Sequence, residues 1–159
     1  MCGVAMSYIV PWFPDSDFSA ITDCIYISNI ASACNLAELK RLGITHVISV
    51  LPGFNPIYPE DIVYMNIHIR DTDDAPISDY FKASYDFIDE AVERGGKVLV
   101  HCLRGVSRST TLVCYYLMRK HGISATQALE FVAHYRPIAK PNPGFMRALK
   151  LQERVKHEK

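Results

Sequence analysis

The sequence predicts an α/β domain, a small and mainly parallel sheet flanked by helices in layers. Three observations point there. Short apolar, β-branched runs alternate with segments of helical periodicity, the pattern of strand–helix–strand units. The run at residues 45–51, Thr-His-Val-Ile-Ser-Val-Leu, is nearly continuously apolar, as strands covered on both faces are. Residues 98–110, Val-Leu-Val-His-Cys-Leu-Arg-Gly-Val-Ser-Arg-Ser-Thr, read as strand, tight loop and helix start. Open α/β sheets bind ligands at the carboxyl ends of their strands, where such a loop sits.

The elements follow in order. Residues 8–14, Tyr-Ile-Val-Pro-Trp-Phe-Pro, are apolar but carry two prolines, so no regular helix or central strand forms there. An extended tail on the domain surface is expected; an arm contacting a partner or a second copy is the alternative. Residues 21–27 read as a strand pair or a bent strand. Asn35-Leu36-Ala37-Glu38 has the capping-box pattern. Leu36, Leu39 and Leu42 give that short helix its apolar face, and Gly43 ends it. Residues 45–51 and 62–69 are strands, separated by a proline-rich loop. His46 reads as a core or strand-edge residue, because no second metal-type residue has a suggestive spacing.

The polar loop Arg70-Asp71-Thr72-Asp73-Asp74-Ala75-Pro76 comes next. Ser78 is expected to cap a helix with Phe81, Tyr85, Ile88 and Val92 at helical spacing. Gly95-Gly96 stops it, and residues 97–101 form the next strand. The helix over residues 107–121 is apolar almost all round, the mark of a buried helix. Cys114 within it reads as an inert core thiol. Ser124 and Gln127 make a second capping box, with Ala128, Leu129, Val132 and Tyr135 expected to face inward. After Arg136-Pro137 and Pro141-Asn142-Pro143-Gly144, an amphipathic helix runs through Phe145, Leu149 and Val155. Residues 156–159 are expected to fray.

Whole-chain properties narrow the function. The 159 residues suit one domain with a real core. There are 17 basic and 17 acidic residues, and this zero net charge argues against a broad nucleic-acid surface. No apolar run approaches the roughly 20 residues of a membrane span. Five cysteines, an odd number without any CxxC pair, suggest neither a disulfide framework nor a zinc knuckle. A reduced, cytoplasmic protein is expected, with the nucleus also open. The N-terminus has no basic region typical of a signal peptide. Its glycine is at position 3, so the myristoylation pattern fails. Lipidation of Cys2, oligomeric state and physiological substrate are left open by the sequence.

The chemistry gathers in residues 101–109. A loop between a strand end and a helix start turns backbone N–H groups inward, and the helix dipole adds positive potential, so the concavity suits a dianion such as phosphate. Those dipoles and the Arg108 guanidinium favour the thiolate form of Cys102. Arg108 can grip two phosphate oxygens with its planar fork. Gly105 lets the backbone turn without a Cβ clash. The Ser109 hydroxyl is placed to hydrogen-bond the sulfur. The bland alternative is a buried cysteine followed by a surface arginine.

His101-Cys102-x-x-Gly105-x-Ser107-Arg108-Ser109 resembles the signature of the cysteine-based protein phosphatases, and its Ser-Arg-Ser ending resembles the small, atypical dual-specificity branch. The resemblance runs from about Cys24 to the C-terminus. Asp71, followed by Ile77 and Tyr80-Phe81, is similar to that family's general-acid loop. Arg136-Pro137 with Pro141-Asn142-x-Gly144-Phe145 is similar to its segment behind the active loop, where Asn142 looks like a support. The resemblance implies a three-layer phosphatase fold, with residues 1–20 an N-terminal extension and 21–159 the catalytic domain. It also implies a shallow pocket open to phosphotyrosine and to phosphoserine or phosphothreonine on proteins.

The expected mechanism is a phosphocysteine one without metal or other cofactor. Cys102 is the nucleophile, Asp71 the general acid and then base, and Ser109 an aid to the departing sulfur. Arg108 and the loop Leu103, Arg104, Gly105, Val106 and Ser107 hold the phosphate. Leu103, Arg104 and Val106 supply the variable rim. Asp73 and Asp74 are expected to be solvated loop charges. The alternatives are a phosphatase of a phosphoinositide or RNA 5′ end, a non-catalytic phosphate-binding module, and a sulfurtransferase. A lipid-directed loop would carry more basic residues than Arg104 alone.

Overall fold

A computed structural model describes residues 13–155. Residues 1–12, with most of the apolar N-terminal segment, and residues 156–159, expected to fray, lie outside the described part. The sheet has five strands, β1 (Phe18–Ala20), β2 (Ile25–Ser28), β3 (His46–Val50), β4 (Val63–Ile67) and β5 (Val98–His101), in the order β1-β2-β5-β3-β4. Only β1 is antiparallel; β2, β5, β3 and β4 run parallel. The helices are α1 (Ile30–Ala33), α2 (Leu36–Leu42), α3 (Phe81–Glu93), α4 (Arg108–His121), α5 (Ala125–Tyr135) and α6 (Pro143–Val155). This is the expected mainly parallel α/β sheet with helices on its faces.

Alternation along the strands builds two cores. Ile25, Ile27, Ile48, Val50, Val98 and Val100 point to one face and pack with residues of α3, α4, α5 and α6. Tyr26, Val47 and Leu99 point to the other, against Leu39, Ile44 and Ile62. The period of two in the sequence is thus the period of the two faces. Helix α4 is buried from Arg108 to Met118, which explains its lack of a polar face. Strand β5 is the innermost strand, so the loop that follows it opens at the centre of the sheet's carboxyl edge.

Several local expectations are corrected by the packing. Residues 21–24 are not strand but the turn joining β1 to β2, closed by the Ile21 and Thr22 amides donating to the Ile25 carbonyl. Asn35 caps α2 by accepting from the Glu38 amide, but the Glu38 carboxylate turns to Arg41, so the box is not reciprocal. Ser78 lies inside a 3₁₀ turn (Ile77–Tyr80) ahead of α3 and caps nothing. Tyr135 and Val155 are 49% and 54% exposed, at helix ends that outrun the core. The Ser124–Gln127 box is complete. Gly43 and Gly122 end α2 and α4 in the left-handed conformation.

Candidate active site

Strand β5 ends at His101, and the next six residues curl before α4 begins. The curl is held from outside through its carbonyl groups. The Leu103 carbonyl accepts from the Ile30 amide at 3.1 Å, and that of Val106 from the Lys140 amide at 2.8 Å. Arg136 donates from Nη2 to the Arg104 carbonyl at 3.2 Å and from Nε to the Gly105 carbonyl at 2.7 Å. Successive planar peptides with their oxygens turned outward leave their N–H groups for the inner wall. Gly105 has φ +67°, and a Cβ there would stand 2.5 Å from the Ser28 carbonyl oxygen and 2.6 Å from Arg136 Nη2. Only glycine fits this turn.

Inside the curl sits Cys102, 3% exposed, with its Sγ 3.2 Å from Ser109 Oγ. Arg108 is buried; its Nη1 donates to the Ile69 carbonyl at 3.0 Å, and its buried Nε has no protein partner. Ser107 does not cap α4 with its side chain; its Oγ accepts instead from the Asn142 amide at 2.9 Å. The free first turn of α4 therefore faces the concavity. Leu103 and Arg104 are exposed on the rim, Val106 is half-buried, and Gly105 and Ser107 are buried.

His101 lies on the face of the sheet away from α4. Its Nε2 pairs with Ser49 Oγ at 2.7 Å, its Nδ1 meets the Cys102 carbonyl at 3.2 Å, and Phe54 packs edge-on at 5.0 Å. Burial foremost pushes its pKa down to about 4, so it is neutral at physiological pH. His46 is a half-buried strand residue edge-on to Phe87, and burial also lowers its pKa. Burial pushes the Cys114 thiol up to about 12 and that of Cys34 to about 11; both stay protonated and poorly nucleophilic.

Asp71 lies in the exposed loop after β4. Its Oδ1 accepts from Asn142 Nδ2 at 2.8 Å. Asn142 also bonds Ser107, so one residue joins the acidic loop to the loop around Cys102. Asp74 is exposed, as expected. Asp73 is exposed too, but its Oδ1 meets the Gly144 amide at 3.4 Å, so it is not a free loop charge. Among the described residues, no three His, Cys, Asp or Glu side chains gather to hold a metal ion, and no helix is long and apolar enough to cross a membrane.

Residues 25–155 match the family described as dual specificity phosphatase, catalytic domain. The chain belongs to that family. Dual specificity protein phosphatase 1 of Arabidopsis thaliana is 44% identical over 131 residues, 82% of this chain and 66% of that relative. The crystal structure of DUSP15 superposes with a TM-score of 0.85 at 36% identity, covering 89% of this chain and 90% of that one. The human tyrosine phosphatase-like serine/threonine/tyrosine-interacting protein gives 0.85 at 29% identity, over 89% and 98%. This chain therefore carries the catalytic domain of a dual-specificity protein phosphatase.

Within this phosphatase domain, the structure gives Arg136 a role that the sequence placed only in a segment behind the active loop, and it adds Asp17, which sequence reading missed. Arg136 is 2% exposed and pairs with Asp17 at 2.8 and 3.1 Å and with Ser19 Oγ at 3.0 Å. Residues 17–20, expected in the N-terminal extension, thus supply an edge strand and the counter-ion of the residue that grips the loop. The signs of Arg136 in the sequence were its place just after an apolar helix face, with proline next, and the likeness of its segment to the family's segment behind the active loop. Nothing local marks Asp17.

Proposed function

We propose that this chain hydrolyses phosphotyrosine and phosphoserine or phosphothreonine on proteins, without a metal, through a phosphocysteine intermediate. The observation that carries the reading is the closed curl, whose outward carbonyls are all engaged around a thiol and a buried guanidinium. The Cys102 thiolate attacks phosphorus in line. The amides of residues 103–108 and the free Nε of Arg108 receive the equatorial oxygens, a preorganised electrostatic site. Asp71 gives its proton to the leaving oxygen. Water, activated by the same carboxylate, then cleaves the S–P bond while Ser109 donates to the departing sulfur. A thiolate nucleophile works in a reducing compartment, cytoplasm or nucleus.

The test is Cys102→Ser assayed on phosphotyrosine, phosphothreonine and phosphoinositide substrates in the presence of a chelator. The wild-type protein is expected to turn over both phosphopeptides at undiminished rate with the chelator, while the variant binds them without turnover. Turnover confined to the phosphoinositide supports the non-protein alternative. No turnover of any substrate by the wild type supports a phosphate-binding module.

A further inference from the structure

The acidic loop rests on the first turn of α6 so closely that no side chain fits between them. Gly144 is the second residue of α6. A Cβ built there would overlap the Asp73 carbonyl oxygen and stand 2.6 Å from its carbonyl carbon and 2.7 Å from its Cα. These are backbone atoms, so no rotamer change relieves the clash. Gly144 is not among the glycines with positive φ; close approach, not backbone conformation, demands glycine.

The hydrogen bonds agree with this seating. Pro143 has no N–H to satisfy. The Gly144 N–H meets Asp73 Oδ1 at 3.4 Å, and the Phe145 N–H donates to Asn142 Oδ1 at 2.8 Å. Asn142 holds Asp71 Oδ1 through Nδ2 and Ser107 Oγ through its amide. Residues 142–144 therefore touch the phosphate-binding curl at one point and the acidic loop at two. The Asp73 carboxylate also faces the positive end of the α6 dipole.

We infer that Gly144 is a positioning residue for proton transfer: it lets the Asp73 backbone lie flush on α6 and so fixes where the Asp71 carboxyl meets the leaving group. The inference rests on the reading of Asp71 as the proton donor. In that step the bond from phosphorus to the leaving oxygen breaks and its electron pair stays on that oxygen. The Asp71 proton moves to the same oxygen, and Asp71 becomes a carboxylate. Moving such a donor by 1 Å costs about 10²-fold, and the loss falls on leaving groups that need the proton.

The test compares Gly144→Ala, Asp71→Asn and the double variant on a phosphoserine peptide and on an aryl phosphate with an acidic phenol, with vanadate inhibition measured alongside. Gly144→Ala is expected to lose about 10- to 100-fold on the peptide and severalfold less on the aryl phosphate, with vanadate affinity kept. Added to Asp71→Asn, it is expected to cost little more, because both act through one carboxyl. Asn142→Ala, which removes one tie to Asp71 without crowding the backbone, is expected to show the same substrate dependence at smaller size. Equal losses on both substrates, additive penalties or loss of vanadate binding overturn the inference. So does an unimpaired Gly144→Ala beside an impaired Asp71→Asn. An unimpaired Asp71→Asn overturns the acid reading itself, a separate and recognisable failure.

Discussion

The loop around Cys102 and the loop carrying Asp71 share the partner Asn142 but are built in opposite ways. The first is buried at its floor and held by backbone and guanidinium donors from α1, the segment after α5 and Arg136. The second is exposed from Arg70 to Asp74 and is held by Asn142 and the seat on Gly144. The difference suits the tasks proposed for them. Dipoles that stabilise transition-state charge act best when fixed in advance and sheltered from water. A group that gives and regains a proton each cycle needs solvent access and only one correct distance. Arg108 spans the two regions, since its Nη1 is bonded to the Ile69 carbonyl, two residues before Asp71.

Four experiments break or sharpen this contrast. The largest effect is expected from Arg108→Lys. An ammonium cannot reproduce the fork or keep both the Ile69 bond and a phosphate contact, so kcat/KM should fall on the order of 10³-fold or more on every substrate. A loss confined to substrates with poor leaving groups would mean that Arg108 serves mainly the acidic loop.

Asp71→Asn comes next, at about 10²-fold or more on alkyl phosphates and less on aryl phosphates, with a flattened alkaline limb in the pH–rate profile. Asp74→Asn should keep rate and limb. If Asp74→Asn loses the limb and Asp71→Asn keeps it, the acid is the other carboxylate.

Asp17→Asn removes the counter-ion of Arg136 but leaves an oxygen to accept one bond. A loss of about 1 kcal/mol in transition-state binding, roughly fivefold in kcat/KM, is expected on all substrates alike. Vanadate affinity should weaken in step. A leaving-group-dependent loss would show that the two loops are not separately supported.

The smallest effect on rate and the clearest on stability belongs to His101. Its folded pKa of about 4 lies below the usual 6.5. The unfolded chain therefore takes the proton first. The contribution of neutral His101 is complete above pH 6.5 and declines as pH falls toward 4, by about 3 kcal/mol in all. Denaturant unfolding at pH 7, 5.5 and 4.5 measures it, and His101→Asn should flatten the decline by about that amount. An unchanged slope would place the acid sensitivity elsewhere.

Much of the site was legible because its signals are local. The Cys102 curl is one contiguous stretch whose strand, glycine and helix start are set by neighbouring residues. Gly43, Gly122 and the Ser124–Gln127 box ended or began helices where expected, because caps and left-handed turns depend on a few adjacent φ, ψ and hydrogen bonds. Expectations that needed a partner's position were less secure. Glu38 found Arg41 instead of its own helix end, and Ser78 was overtaken by a 3₁₀ turn.

By itself, then, the sequence determined the strand–helix alternation, the two-faced sheet and the reactive loop, since period, propensity and capping act within a few residues. Only the tertiary structure decided how that loop is held. Arg136 meets Asp17 across 119 positions, and Asn142 and Gly144 meet Asp71 and Asp73 across 71. No periodicity or propensity encodes such meetings. They exist because the sheet order places β5 between β2 and β3, and because the end of α5 and the start of α6 return to that same edge.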